Sequence, residues 1–391
     1  MNTLLIALSV LGQVAADRLL VASYGNETHA GTIQTLEVLP STTGNSSHAM
    51  KVTQENHECG ALPTWLDVSL GLDRIICLDE SATNASLTIL SLDHDGSLRK
   101  VSSSSVLGGA VSIASYNNKS ALALAHYGPE PAISLFTIDS KNTVSSLQNF
   151  TFEAPEQIHQ AVVDPTGQYI IFPSLGADTV HVYGIDPVSH LLTEHAPLKS
   201  KQGYGPRHAV FWTGTNSTTT YLFVVHENSN KITSYEVCYL EQGGLAFTEV
   251  DEVSTYGNQT VPPVTFASEM TLSPDNKFLI AANRNGTIFT VENPDPNNST
   301  QLPSDSLVTF KPSADGKLSF VQLAKSGGLY PRHFSMNQNG SLVAVANQLS
   351  KNVDVYARNV ETGIIEDGKA VARANNLGPG DLVFVQWLEQ Q

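Results

Sequence analysis

The chain has 391 residues, of which 15% are charged, a formal net charge of −16 and three cysteines. So negative a chain repels phosphate backbones and anionic bilayers, which argues against a nucleic-acid partner or a membrane-surface role. Cys59, Cys77 and Cys238 make no disulfide framework and lack zinc-ligand spacing, so neither metal nor cofactor is expected.

The opening "MNTLLIALSVLGQVAAD" has an apolar core from Leu4 to Leu11 and small residues at Val14 and Ala16. It reads as a secretory signal, residues 1–16, cleaved after Ala16, and is too short to span a bilayer. N-x-[ST] sequons stand at Asn26, Asn45, Asn84, Asn118, Asn149, Asn216, Asn258, Asn285, Asn297, Asn298 and Asn339. Beside a leader, so many acceptor sites point to a secreted glycoprotein without membrane insertion. If 63–69 and 74–80 pair as a hairpin, Cys77 lies near Leu66, and a Cys59–Cys77 bridge is compatible but not required.

Helical periodicity is almost absent. In chain order come "PTWLDVSLGLDRIICLDES", "AVSIASYNNKSALALAHYG", "IHQAVVDPTGQYIIFPSLG", "RHAVFWTGTNSTTTYLFVVHEN", "SEMTLSPDNKFLIAANRNG" and "RHFSMNQNGSLVAVANQLS". Each is a strand, a polar turn and a second apolar strand. A third strand follows in "TVHVYGID", "KITSYEV" and "NVDVYAR", often with a fourth. Trp65, Ser112, His159, His208, Glu269, His333 and Asp381 then occupy equivalent positions. A spacing of about 45–50 residues with four strands per unit is the signature of a β-propeller. Two longer steps place insertions at "VCYLEQGGLAFTEVDEVSTYGNQT" and "ENPDPNNSTQLPSDSLVTFKPSADG". Six units are complete, and the seventh is split between 380–389 and the first strands after the leader. Residues 17–391 are therefore expected to form one all-β domain, a seven-bladed propeller of four-stranded antiparallel blades closed by both termini.

In such a ring the start of each first strand and the end of each second strand meet at one mouth of the central channel. The first set supplies His159, Arg207, His208, Glu269, Arg332 and His333. The second supplies His126-Tyr127, His226-Glu227, Asn283-Arg284 and Asn347-Gln348. Arginine forks suit carboxylate or phosphate oxygens, and Glu227 or Glu269 can serve as a general base. The competing reading is architectural, because polar residues at blade starts also bond neighbouring backbones. Asp164 and Asp275, in "DPTG" and "SPDN", belong to turns.

The segments "HQAVVDPTGQYIIFPSLGADTVHVYGID", "GYGPRHAVF", "SEMTLSPDNKFLIAANRN" and "PRHFSMNQNGSLVAVANQLSKNVDVY" give the chain its resemblance to a known family. It resembles the seven-bladed propeller lactonases, which include bacterial-type 6-phosphogluconolactonase and the fungal 3-carboxy-cis,cis-muconate cyclase. The chain departs from the family at Val111-Ser112, where a Cys-His pair is usual. The resemblance implies a catalytic set of one His, two Arg and one Glu, which falls on His159, Arg207, Glu227 and Arg284. His208, Glu269, Asn283, Arg332, His333, Asn347 and Gln348 are the expected substrate-binding residues. The activity implied is hydrolysis of a small anionic lactone; the leader and sequons place that enzyme outside the cell, and a monomer is expected. Two other readings stand beside it: a cyclase closing a carboxymuconate, and a secreted glycoprotein that binds a partner through its propeller face. A calcium-dependent variant of the lactonase would use Glu269, Asn283 and Asn347 as oxygen ligands.

Overall fold

The computed structural model describes residues 17–39, 49–214, 218–295 and 297–388; the expected leader and the sequons at Asn45 and Asn216 lie outside them. Among the described residues all regular structure is strand, so no helix is long and apolar enough to cross a membrane.

Seven four-stranded antiparallel sheets form the ring. The fourth blade is typical: Pro206–Thr213, Thr220–His226, Lys231–Tyr239 and Leu245–Ser254 pair in chain order. The split blade pairs Leu382–Leu388 with Asp17–Ser23, followed by Thr32–Leu39 and Ala49–Asn56. The termini thus close the ring as expected, leaving no edge between first and last blades.

Burial explains the sequence pattern. Second strands such as Ala121–His126 and Thr220–His226 are buried along their whole length, so they read as continuous apolar runs. Outer strands such as Leu98–Ser105 alternate with solvent. The cores lie between blades: Ala344, Val353 and Val355 of the sixth pack against Leu19, Leu36 and Trp387 of the seventh. The first predicted insertion lengthens the outer hairpin of the fourth blade. The second carries an extra hairpin, Phe289–Val291 with Leu302–Ser304. Asp164 serves its turn, accepting from the N–H groups of Thr166 and Tyr169. Cys77 pairs with Leu66 in register and is bridged to Cys59, with Cα atoms 5.9 Å apart.

Two expected positions are corrected. In the third blade the Ile158–Ser174 bridge and the Val162–Ile171 pair make Gln160 the equivalent of His208, and His159 that of Arg207. The residue of the last strand equivalent to His208 is Phe384, not Asp381: Leu382 pairs with Ser23 and Phe384 with Ala22, so Asp381 precedes the strand.

Candidate active site

The inner strands carry an irregularity that builds the site. Pairing slips by one residue at Pro206/His208, Pro331/His333, Pro63/Trp65, Ala110/Ser112, Ala22/Ser23 and Ala267/Met270. In a regular strand Arg207 and His208 would face opposite ways. A bulge gives both a path toward the axis. A cavity of about 10 Å³, room for about one water molecule, is accordingly lined by residues from all seven blades. They include Trp65, Val111, His159, Arg207, His208, Glu269, Arg332, His333 and Phe384.

Alternation at the ends of the second strands builds the mouth above it. At the ends of these strands Asp79, His126, Ser174, His226, Asn283 and Asn347 are buried among the blades. The residues that follow, Glu80, Tyr127, Glu227, Arg284 and Gln348, form the next ring, with Tyr24 in the split blade. Asn283 and Asn347 therefore do not serve as substrate ligands. Each is fully buried, Asn283 Nδ2 donating to Thr255 O (2.8 Å) and Asn347 Nδ2 to Ser326 O (3.0 Å). Gln348 reaches the mouth but is spent on Asp381, at 2.8 Å.

Glu227 Oε2 lies 2.9 Å from Arg207 Nε and 2.7 Å from Arg284 Nη2, so one oxygen holds two guanidiniums. Both arginines are buried, at 3% and 6% exposure. Burial and neighbouring Arg284 pull Arg207 down to about 10, against the attraction of Glu227. It stays cationic at neutral pH. The turn before Arg207 is fixed by Asp178, which accepts from the N–H groups of Gly203 (2.6 Å) and Gly205 (2.8 Å). Gly205 has φ 67°, and a Cβ there would lie 2.6 Å from the Asn228 side chain. Arg284 Nη2 also donates to Ala267 O, and its guanidinium covers the Tyr330 ring at 5.1 Å. Asp305 anchors this region, accepting from the N–H groups of Asn285 (2.9 Å), Thr287 (2.7 Å) and Tyr330 (2.7 Å).

Arg332 is the most accessible of the three, its side chain 19% exposed. It lies over the Tyr24 ring at 5.5 Å, and among the described residues its one ion pair is with Glu80 at 3.6 Å. Tyr24 and Glu80 hydrogen-bond each other. Among the described residues Arg332 donates no hydrogen bond, so its fork is uncommitted. Neither Glu80 nor Tyr24 was singled out from the sequence. The signal existed: Glu80 follows the second strand of its blade as Glu227 follows its own.

Deeper in the channel, the two Arg-His motifs converge on one carboxylate. His208 Nδ1 lies 2.9 Å from Glu269 Oε1, and His333 Nε2 lies 3.5 Å from Oε2. The Met270 N–H donates to Oε1 at 3.0 Å. Burial pushes the Glu269 carboxyl up, but His208 and His333, with Arg207, outweigh it and hold it at about 2. Burial lowers His208 and His333, the latter to about 4, with Glu269 opposing. His208 Nε2 is 3.2 Å from His159 Nδ1. His159 lies edge-on to Tyr127 at 5.7 Å, and burial with Arg207 beside it drives the ring far below the usual imidazole range. Trp65 and Phe384, with Phe384 stacked on His333 at 3.8 Å, form the apolar floor.

A family model described as "Lactonase, 7-bladed beta-propeller" matches residues 18–378. A protein of Arthroderma benhamiae named "Probable 6-phosphogluconolactonase" is 29% identical over 325 residues, 80% of this chain and 77% of its own length. A Formosa agariphila protein named 6-phosphogluconolactonase is 28% identical over 63% of this chain and 65% of its own length. The solved structure of a Pseudomonas aeruginosa periplasmic gluconolactonase superposes with a TM-score of 0.77 over 96% of this chain and all of that one. At 22% identity, that likeness is one of fold.

Proposed function

The chain belongs to the seven-bladed β-propeller lactonase family, and from that premise we propose that it hydrolyses a small anionic lactone of the 6-phosphogluconolactone type at the mouth of its channel. The observation that carries this reading is the pairing of two buried guanidiniums by Glu227 beside a buried histidine. Arg207 and Arg284, held by Glu227, present fixed positive charge to the lactone carbonyl and stabilise the oxyanion that develops as water adds. His159 takes the proton from that water, because Glu227 already has one oxygen committed to two cations. Arg332, with an uncommitted fork, binds the anionic substituent. His333 and the floor of Trp65 and Phe384 hold Glu269 and its partners in place rather than touching substrate.

The protein is further proposed to be secreted and glycosylated. All the described sequon asparagines, at 26, 84, 118, 149, 258, 285, 297, 298 and 339, are exposed, as attachment requires. The Cys59–Cys77 bridge fits an oxidising compartment.

The test compares Arg332→Ala with the unaltered protein on a phosphorylated lactone and its unphosphorylated counterpart. Loss of a charged fork is expected to raise KM for the phosphorylated compound about 10–100-fold, with little effect on the other. Equal KM changes would remove Arg332 from the anion site. Ring closure of carboxymuconate, followed in the same preparation, would favour the cyclase instead.

A further inference from the structure

The hydrogen-bond order beneath the mouth fixes where protons sit. Glu269 is an ionised carboxylate, acceptor only, so the His208 nitrogen 2.9 Å from it must carry a hydrogen. A neutral His208 with its proton on Nδ1 has a lone pair on Nε2. That lone pair faces His159 Nδ1 at 3.2 Å, which must therefore be the protonated nitrogen of His159. His159 Nε2 is left as the basic atom, and among the described residues no group bonds it. His333 fits the same order: its Nδ1 accepts from the Val385 N–H (3.4 Å), which turns Nε2–H toward Glu269 Oε2.

We propose that Glu269 and His208 are positioning residues behind His159, a buried relay that sets its tautomer and draws away the charge it acquires. The proposal rests on the lactonase reading. Water loses a proton to His159 Nε2 as its oxygen bonds to the lactone carbonyl carbon. The proton on His159 Nδ1 then passes to His208 Nε2, so the positive charge comes to rest beside the Glu269 carboxylate. It also moves away from Arg284 and Arg332, while Arg207 faces both rings and the Glu269 carboxylate offsets it at His208. When the ring C–O bond breaks, the same path runs backward and His159 Nε2–H protonates the departing alkoxide. Atoms balance as water plus lactone giving hydroxy acid, and Glu269 stays ionised throughout. The charged and titratable groups facing this chain are Arg207 and Glu227 from the fourth blade and Arg284 from the fifth. Arg332 and His333 face it from the sixth, and Tyr127 from the second.

Two measurements test the relay. Glu269→Gln keeps side-chain volume but removes the charge, so kcat should fall roughly 10²–10⁴-fold with KM little changed. Unaltered kcat would overturn the proposal. Nitrogen-15 imidazole spectra of the unaltered protein at neutral pH, assigned with His159→Asn and His208→Asn, should show Nδ1–H on both rings. Protonation at Nε2 on either ring would overturn it without any need for turnover or a folded Glu269 variant. Full activity in His159→Asn would instead sink the lactonase reading of His159 while leaving the tautomer result to stand or fall alone.

Discussion

Replacing Glu227 with glutamine removes one charge and almost no volume, and the structure sets what should follow. The carboxylate oxygen 2.9 Å from Arg207 and 2.7 Å from Arg284 is what lets two buried cations sit side by side. Taking one partner from a buried ion pair costs about 3–5 kcal/mol. Glu227 is 18% exposed, so water screens part of this and about 2–3 kcal/mol is expected. An unfolding entropy of roughly 2.1 cal/mol/K per residue, applied to 391 residues, converts that into a Tm drop of about 2–4 °C. Kinetically, both forks lose their anchor, and kcat should fall about 10²–10³-fold, as when an oxyanion donor is lost. KM for an anionic lactone should hold or improve, since a competing carboxylate charge has gone. Thermal unfolding and steady-state kinetics on the same preparation read both. A Glu227→Gln protein with unchanged Tm and kcat would refute the claim that one oxygen organises both guanidiniums.

Four further outcomes follow from other parts of the molecule. His126, His226 and His333 are depressed to about 4, 3 and 4 by burial, below an unfolded value near 6.5. Their stabilisation is complete above pH 6.5 and is lost on acidification, about 1.4 kcal/mol per histidine per pH unit; urea midpoints between pH 7 and 5 should show that fall. The acid limb of kcat/KM should also lie below the ordinary imidazole value of about 6.5, since burial lowers both His159 and His208; a limb above it would contradict their assignment. Replacing Cys59 and Cys77 with serine opens a loop of sequence separation 18 and should cost about 3 kcal/mol, read in denaturant. Asp305→Ala strands three backbone donors and should cost about 3 kcal/mol, while raising KM because Tyr330 no longer backs Arg284.

The ring was legible because its grammar is local. A turn such as "DPTG" between two apolar strands announces a hairpin, and its recurrence announces a blade; the split blade followed from strands at both ends lacking a partner. The gathering of Arg207, Arg284 and Arg332 at one mouth followed in turn. What escaped was decided by single-residue offsets. The bulges that turn Arg207 and His208 together leave no mark in composition. Asp381 was placed three positions from the true equivalent, Phe384, because bulge and strand start cannot be told apart in "GPGDLVFVQW". Asn283 and Asn347 were misjudged by one step of strand alternation, which sends them among the blades and their successors to the mouth. Glu80 and Tyr24 were hidden for a different reason. Their importance comes from Arg332, which is distant in sequence and meets them only when the ring closes.

The most direct test is hydrolysis of 6-phosphoglucono-δ-lactone by the purified protein beside its Arg207→Ala variant. The account predicts turnover well above the spontaneous rate in the unaltered protein and a loss of at least about 10²-fold in the variant. Equal rates in the two proteins would contradict it.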